Sequence, residues 1–283
     1  MLPRTAKTEV KLMNFPAPRL AVHLHLMVLF TALPLYRMAG GETREGLPDH
    51  TAWSITASVD WRDGFTDAVT VQANPNGIVI VPDPDAISGR VIRAKIERDE
   101  RFTSIVNGTP RAEVLIREPA TFMQGKEYLV RWSTFIPKEF EFDYKQLVII
   151  SQIHQGTLAG GPTVALTVLG ESYFISTRGG AQLKSTTAGA KICCAETDKG
   201  KWVQWTLRYI PDDSGRYSLT QLWKGDDSVF RSEHVANAYP GDNSAYMKVG
   251  LYKAGWKREP SDVKTVTMLF GPISIRAHER API

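Results

Sequence analysis

The stretch AYMKVGLYKAG, residues 245–255, changes chemical character at every second position. The polar set is Tyr246, Lys248, Gly250 and Tyr252, and the apolar set is Met247, Val249 and Leu251. Successive side chains of a β-strand point to opposite faces, so each set occupies one face. The stretch therefore predicts a half-buried strand whose outward face carries two phenols and an ammonium group.

Similar alternating runs recur from about Trp53 onward, and no long run of helical period competes with them. These runs are Ala68–Gln72, Gly77–Val81, Arg90–Ile96, Ala112–Arg117, Tyr128–Ile136, Leu147–His154, Thr163–Leu169, Ser172–Thr177, Trp202–Ile210, Tyr217–Trp223, Tyr246–Tyr252 and Lys264–Ile275. Many short strands separated by turn residues predict an all-β sandwich or jelly roll. A bent sheet in such a fold forms an open groove, which suits an extended polymer.

Composition limits the class of partner. The chain has 283 residues, of which 43% are hydrophobic, and this supplies one sizeable core without requiring a second domain. Its formal net charge of +4 is a mild preference for anionic partners. No Lys/Arg run or recognisable motif indicates nucleic acid, so we expect no nucleic-acid partner. The protein is expected to be a monomer.

Residues 1–40 differ from the rest of the chain. Basic residues precede an apolar run from Leu20 to Leu35, which is too short for a comfortable transmembrane helix. This pattern predicts a secretory signal or a short N-terminal anchor over 1–40, followed by one domain over 41–283. We therefore expect a periplasmic or secreted protein with no stable membrane insertion beyond such an anchor. The alternative is a cytosolic protein with an unstructured leader.

Two further predicted strands carry polar faces. The first places Arg111, Glu113, Leu115 and Arg117 on one side. The second places Gln152 and His154 on one side, opposite Ile149 and Ile153. Taken singly, each set has an ordinary structural explanation, such as a solvated ion pair, a strand end or an aromatic rim.

Together, the three strands supply an anion clamp, an amide donor, an imidazole and a phenol, which fits β-elimination on a uronic acid sugar. The C5 proton of a uronate is removable when donors such as Gln152, Arg111 or Arg117 neutralise the carboxylate. A base takes that proton and an acid protonates the departing O4. A phenol with a pKa of about 10 is a good acid. It serves as a base only where cations such as Lys248 or Arg111 stabilise the phenolate.

Three motifs carry a resemblance to known proteins: R-A-E at 111–113, Q-I-H at 152–154 and Y-M-K-V-G-L-Y at 246–252. They resemble the signature strands of jelly-roll polysaccharide lyases, namely the family seven alginate lyases and the heparin lyase I and glucuronan lyase groups. The resemblance spans roughly Arg111 to Ile275. It implies a concanavalin A-like β-jelly roll with a concave groove that cleaves an acidic, uronate-containing polysaccharide by β-elimination.

The resemblance also implies roles for individual residues. Tyr252 would be the catalytic phenol and His154 its partner base or a neutralising group. Gln152 and Arg111 would bind the carboxylate. The substrate-binding set would be Lys248, Glu113, Arg117 and Tyr246.

Departures from the alginate lyase pattern favour a glucuronan-like or heparin-like substrate, with alginate as the next choice. Ala112 replaces the usual Ser or Thr, Arg117 comes two positions late, and Ala254 replaces a Gln. Resemblance to heparin lyase I also implies calcium as an optional cofactor, but its ligands are unknown. Asp212 and Asp226, each with an Asp beside it, have the sequence context of turns.

Other interpretations stay open at this point. A non-catalytic glycan-binding domain or a scaffold of exopolysaccharide assembly could use the same sandwich. Glu141 and Asp143 resemble a hydrolase acid pair, but Gln146 stands where the last acid belongs, and we expect these acids to be solvated. Cys193 and Cys194 are expected to be free or buried thiols. Further basic residues either line the groove or are solvated: Arg178, Lys184, Lys253, Lys257 and Arg258.

Overall fold

The computed structural model describes Gly46 and residues 53–279, apart from positions 86–87, 118, 158–159, 182 and 184–185. The predicted leader over 1–40 and Lys184 lie outside the described residues. Within the described part of the chain, no helix is long and apolar enough to cross a membrane.

The described residues form sixteen strands and two short 3₁₀ turns, Val106–Gly108 and Glu196–Asp198. The strands are β1 Ser54–Val59, β2 Val69–Ala73, β3 Ile78–Pro82, β4 Arg90–Glu97, β5 Arg111–Ile116, β6 Lys126–Phe135, β7 Val148–His154, β8 Val164–Leu169, β9 Ser172–Thr177, β10 Ala188–Ile192, β11 Trp202–Ile210, β12 Leu219–Lys224, β13 Asp227–Glu233, β14 Tyr246–Tyr252, β15 Thr265–Phe270 and β16 Ile273–Glu279.

In this part of the chain the strands build two antiparallel sheets. One has nine strands, in the order β13-β12-β11-β6-β15-β4-β3, with β16 pairing β6 and β1 pairing β16. The other has seven strands, in the order β10-β9-β8-β7-β14-β5-β2. The prediction of an all-β jelly-roll sandwich is confirmed.

The core lies between the two sheets. Met247, Val249 and Leu251 of β14 are buried in it, as the alternating sequence predicts. Met247 lines a small internal cavity together with Trp132 and Leu207 of the nine-stranded sheet. Burial of one such aliphatic side chain contributes about 1.5–3 kcal/mol, which holds β14 in one register with its polar residues facing outward.

Strand β7 departs from the predicted alternation. Its pairing with both neighbours shifts register between Ile149 and Ser151. Val148, Ile150 and Ile153 join the core, whereas Ile149 lies opposite Tyr252. The prediction that Ile149 shares the core face with Ile153 is therefore wrong, because an irregularity in the ladder reverses the alternation along the strand.

The loop before β7 contains a buried ion pair. Lys253 Nζ is 2.7 Å from Asp143 Oδ2, and these residues are 0% and 7% exposed. Although burial opposes ionisation, hydrogen bonds from Lys253 and Ser261 lower the pKa of Asp143 to about 2. The expectation of a solvated acid at position 143 is wrong, because Lys253 turns inward to meet it. Lys253 is accordingly unavailable to a groove.

Cys193 and Cys194 are joined by a disulfide in the bend that follows β10. The interpretation of these residues as free thiols is therefore wrong.

Candidate active site

The three polar-faced strands lie side by side in the seven-stranded sheet, with β14 between β7 and β5. Lys248 lies opposite Gln152, Gly250 lies opposite Glu113, and Tyr252 lies opposite Arg111. Directly opposed residues share a face. We call the face of this sheet turned away from the core the site face. It brings together residues that are distant in sequence, such as Gln152 and Glu113, 39 positions apart, and Lys248 and Glu113, 135 positions apart.

Glu113 is the centre of a hydrogen-bonded cluster on the site face. Its Oε1 accepts a bond from Gln152 Nε2 at 2.5 Å. Its Oε2 accepts bonds from Lys248 Nζ at 2.7 Å and from Arg111 Nη1 at 3.4 Å. One carboxylate between two cations leaves the cluster with a net charge of +1 when all three groups are ionised.

Gln72 of β2 belongs to the same cluster and was not predicted from the sequence. Its Oε1 accepts hydrogen bonds from both Arg111 Nη1 and Lys248 Nζ, each at 3.2 Å. It lies opposite Glu113 in the ladder between β2 and β5. Gln72 ended a predicted strand, but no motif marked it. Only the pairing of β2 with β5, which the sequence does not state, brings it to this place.

The site face has a buried layer and a more accessible layer. Lys248, Glu113, Gln152 and Arg111 are 1%, 2%, 4% and 6% exposed, so the idea of a solvated ion pair does not apply to Arg111 and Glu113. His154 and Tyr252 are half-buried, and Arg117 is exposed. A ligand on the site face would meet the accessible side chains first and the buried donors beneath them.

His154 has its tautomer fixed by the backbone. Its Nδ1 is 2.7 Å from the carbonyl oxygen of Gln155, and a carbonyl only accepts, so Nδ1 carries the hydrogen. In the neutral ring Nε2 then holds a free lone pair. Burial lowers the pKa of His154 below its ordinary value, and the charge of Lys248 lowers it further. The imidazole is therefore neutral at pH 7 and can accept a proton.

The ring of His154 belongs to a stack across three strands. It stacks on Tyr246 with ring centroids 5.1 Å apart, and the guanidinium of Arg117 lies 4.3 Å from the centre of the Tyr246 ring. Cation–π contacts of this kind contribute about 0.5–1 kcal/mol at exposed sites. The stack fixes the orientation of the imidazole plane.

Tyr252 lies beneath the guanidinium of Arg111, whose Cζ is 4.6 Å from the ring centre. Burial raises the pKa of the Tyr252 phenol above its ordinary value, and the charge of Arg111 only partly offsets this. The phenol is therefore protonated at neutral pH and is suited to donate a proton. Tyr252 and His154 share the site face, with His154 opposite Tyr246, six residues from Tyr252 along β14.

Arg111 retains a donor without a protein partner. Its Nε is buried and makes no hydrogen bond among the described residues. Buried polar groups are nearly always paired in native proteins, so this donor is available to a ligand or a water molecule. An anion bound at this guanidinium would supply the absent acceptor.

The β14 backbone approaches β5 closely at Gly250, which has φ of 132°. A Cβ atom there would lie 2.2 Å from the carbonyl oxygen of Ala112. We expect Gly250→Ala to destabilise the protein by about 1–3 kcal/mol, because the two strands must separate. Urea unfolding measures this, with Gly225→Ala as the matched control. Gly225 also has positive φ, but a Cβ there would meet nothing within 4 Å. Equal losses in the two variants would contradict the steric argument.

No group of three or more metal-ligating side chains occurs among the described residues. The Asp212 carboxylate accepts hydrogen bonds from the backbone of Ser214, Gly215 and Tyr217, so it closes a turn as the sequence predicts. Asp212 therefore does not fit a calcium site. Calcium dependence stays a prediction.

The other basic residues are dispersed. Arg178 is half-buried just after β9, where its Nη1 is 3.4 Å from the carbonyl oxygen of Pro162. Lys257 lies against the Phe102 ring, and Arg258 is exposed. Among those proposed basic residues that the structure describes, only Arg178 follows a strand of the seven-stranded sheet other than β14.

Solved structures with the same fold include enzymes and a toxin. An endo-β-1,4-glucuronan lyase from the fungus Trichoderma reesei is 13% identical, covers 79% of this chain and 95% of its own, and has a TM-score of 0.61. The family 7 alginate lyase AlgAT5 is 12% identical over an alignment that covers 75% of this chain and 94% of that enzyme, with a TM-score of 0.50. Botulinum neurotoxin type C is 10% identical over an alignment that covers 81% of this chain and 49% of the toxin chain, also with a TM-score of 0.50.

At these identities the structural likeness shows the fold alone. None of the curated proteins matches the chain. A family model described as polysaccharide lyase matches residues 52–271, which is most of the chain and includes every residue of the Glu113 cluster. The prediction that the chain is a polysaccharide lyase is confirmed, and the chain belongs to the polysaccharide lyase family.

Proposed function

We propose that this lyase cleaves a 4-O-linked uronate polymer by β-elimination, with a 1,4-linked polyglucuronate as the favoured substrate. The observation that carries the proposal is the unpaired guanidinium donor of Arg111 over a protonated phenol, Tyr252, on the face that also carries the neutral imidazole of His154. The fold is shared with a glucuronan lyase, which supports the choice of polymer. Alginate is the second candidate, supported by the similar fold of an alginate lyase.

The first chemical requirement is neutralisation of the sugar carboxylate. Gln152 donates one amide hydrogen to Glu113 and retains a second one. Arg111 retains Nε–H. Charge-assisted hydrogen bonds from these groups stabilise the negative charge that grows on the carboxylate when the C5 proton leaves. Glu113 holds both donors in place by hydrogen bonds, and Lys248 in turn bonds Glu113.

The second requirement is a base and an acid. His154 accepts the C5 proton at Nε2, because its Nδ1 is committed to the Gln155 carbonyl. Tyr252 donates its phenolic proton to the departing O4. The C4–O4 bond breaks as the C4–C5 double bond forms, which leaves an unsaturated sugar at the new non-reducing end.

The pH dependence of kcat/KM tests these roles. We expect activity to fall on the acid side below about pH 6.5, because protonated His154 cannot act as a base and burial lowers its pKa. On the alkaline side we expect the activity to persist to above about pH 10, because the pKa of Tyr252 is raised. His154→Gln should remove the acid limb. An unchanged acid limb in that variant would rule His154 out as the base.

The substrate is tested by ultraviolet absorbance of the new double bond conjugated to the carboxylate. Residues 41–283 would be assayed against polyglucuronate, alginate, heparin and heparan sulfate, with and without calcium. Growth of this absorbance on polyglucuronate is the expected result. Binding of a polymer with no absorbance change would instead favour a glycan-binding role. An increase of this absorbance on alginate alone would identify alginate as the substrate of the same elimination reaction.

A further inference from the structure

Gln72 is an uncharged residue placed between two buried cations. Its Oε1 lies 3.2 Å from Arg111 Nη1 and 3.2 Å from Lys248 Nζ. Both cations can only donate hydrogen bonds, so the amide must turn its oxygen toward them and its Nε2 away. Gln72 itself is half-buried in β2, the strand at one edge of the seven-stranded sheet. A neutral side chain therefore serves as an acceptor for both cations.

The hydrogen-bond lengths show which acceptor serves which cation. Glu113 Oε2 is 2.7 Å from Lys248 Nζ but 3.4 Å from Arg111 Nη1, which is near the limit for a hydrogen bond. Arg111 is therefore closer to the neutral oxygen of Gln72 than to the carboxylate. Among the described residues, Glu113 is the acid that pairs with Arg111. Glu113 mainly compensates Lys248, and the positive charge of Arg111 stays largely uncompensated.

A carboxylate at position 72 would suit the fold better than the amide does. Glutamate has the same shape as glutamine, and it would give each of the two buried cations its own counter-charge. Buried charges are costly unless they are paired, so Gln72 leaves the folded state less well compensated than a glutamate would. Natural proteins accept such local costs mainly at functional sites.

We propose that Gln72 is a positioning residue of the active site, which holds Arg111 with a neutral oxygen so that one positive charge remains for the sugar carboxylate. The guanidinium held in this way lies over the Tyr252 ring, with Cζ 4.6 Å from the ring centre, and keeps Nε without a protein partner. A bound carboxylate would then bring the net charge of the Glu113 cluster to zero. This inference rests on the proposed function and assigns the charge balance of the site to one residue.

Gln72→Glu tests the proposal, because it changes the charge at position 72 with almost no change of shape. The variant should be at least as stable as the parent in urea. It should nevertheless bind polyglucuronate about 10- to 100-fold more weakly, as expected for loss of a charge-assisted contact. Binding is measured by titration calorimetry in a Tyr252→Phe background, which blocks turnover. The matched control is Gln204→Glu, which adds the same charge at an exposed position of β11 in the other sheet and should bind as the parent does.

Gln72→Leu separates the positioning of Arg111 from the charge of the cluster. This variant keeps both cations and Glu113 but removes the oxygen that holds the guanidinium. A guanidinium that is no longer held still attracts the polymer, but it does not meet the carboxylate in the geometry of the transition state. We therefore expect kcat to fall about 10- to 100-fold while KM changes less than about threefold. A parental kcat in this variant would overturn the positioning role.

The ligand-free protein supplies a readout that does not depend on the reaction. Burial lowers the pKa of His154, and so do the charges of Lys248 and Arg111. The negative charge of Glu113 acts in the opposite direction. Gln72→Glu should therefore raise the pKa of His154, which NMR titration of the imidazole measures, with His154→Gln identifying its resonance.

Two results for Gln72→Glu would overturn the inference, namely an unchanged pKa of His154 and an affinity for polyglucuronate equal to that of the parent. A different pattern would separate this inference from the reaction. If the pKa of His154 rises and binding weakens as expected, but the parent forms no unsaturated product from any polyuronate, the proposed reaction fails and the charge role of Gln72 stands.

Discussion

Tyr252→Phe should reduce the rate of eliminative cleavage by about 10²–10⁴-fold, the usual contribution of one positioned acid or base. The substitution removes only the phenolic hydroxyl and keeps the ring beneath Arg111. The loss should appear in kcat, while the affinity for the polymer should change little. The measurement is the initial rate of double-bond absorbance on polyglucuronate, combined with calorimetric binding and a melting temperature that shows the fold is intact.

Tyr246→Phe is the matched comparison, because it removes a hydroxyl from the same face of the same strand. It retains the ring that stacks on His154 and Arg117, so we expect a loss of less than about tenfold. His154 lies opposite Tyr246, which makes this comparison decisive. If Tyr246→Phe abolished turnover and Tyr252→Phe did not, the acid would be Tyr246 and the assignment of Tyr252 would be wrong.

Glu113→Gln should destabilise the protein by about 3–5 kcal/mol, because it leaves Lys248 buried without a counter-charge. Burial already lowers the pKa of Lys248, and Glu113 is the main influence that opposes this. In the variant the folded state should release the Lys248 proton well below the pH at which the unfolded chain does. The unfolded chain then binds more protons, so the loss of stability should shrink as pH rises.

Urea unfolding at several pH values measures this effect, and two controls define it. The double variant Glu113→Gln with Lys248→Met removes both charges and should recover much of the stability. Glu97→Gln breaks the exposed pair with Lys95 and should cost no more than about 1 kcal/mol. A Glu113→Gln variant as stable as the parent at every pH would show that Lys248 does not depend on this carboxylate.

The faces of β5 and β14 could be predicted from the sequence because their apolar residues alternate without interruption. Met247, Val249 and Leu251 mark the buried side, which places Lys248 and Tyr252 outward. The same reasoning placed Ile149 on the wrong face, because a run of aliphatic residues at 147–150 has no alternation to show where the ladder shifts.

The contacts between residues that are distant in sequence could not be predicted from the sequence. Gln72 carries no motif, and its role depends on β2 pairing with β5. Lys253 has the sequence context of a surface lysine, yet it is buried against Asp143, more than one hundred positions away. The sequence did name the residues around Glu113, but their burial and mutual hydrogen bonds follow from which strands become neighbours.

The position of β14 in the sheet also determines when the candidate active site can form during synthesis of the chain. This strand lies between β5 and β7, although more than ninety residues separate it from either in sequence. As the chain leaves the ribosome, the sheet stays divided into two halves until the closing strand inserts between them. Such distant pairing is slow and exposes unpaired strand edges, so a nascent chain ending before residue 246 would be prone to aggregation.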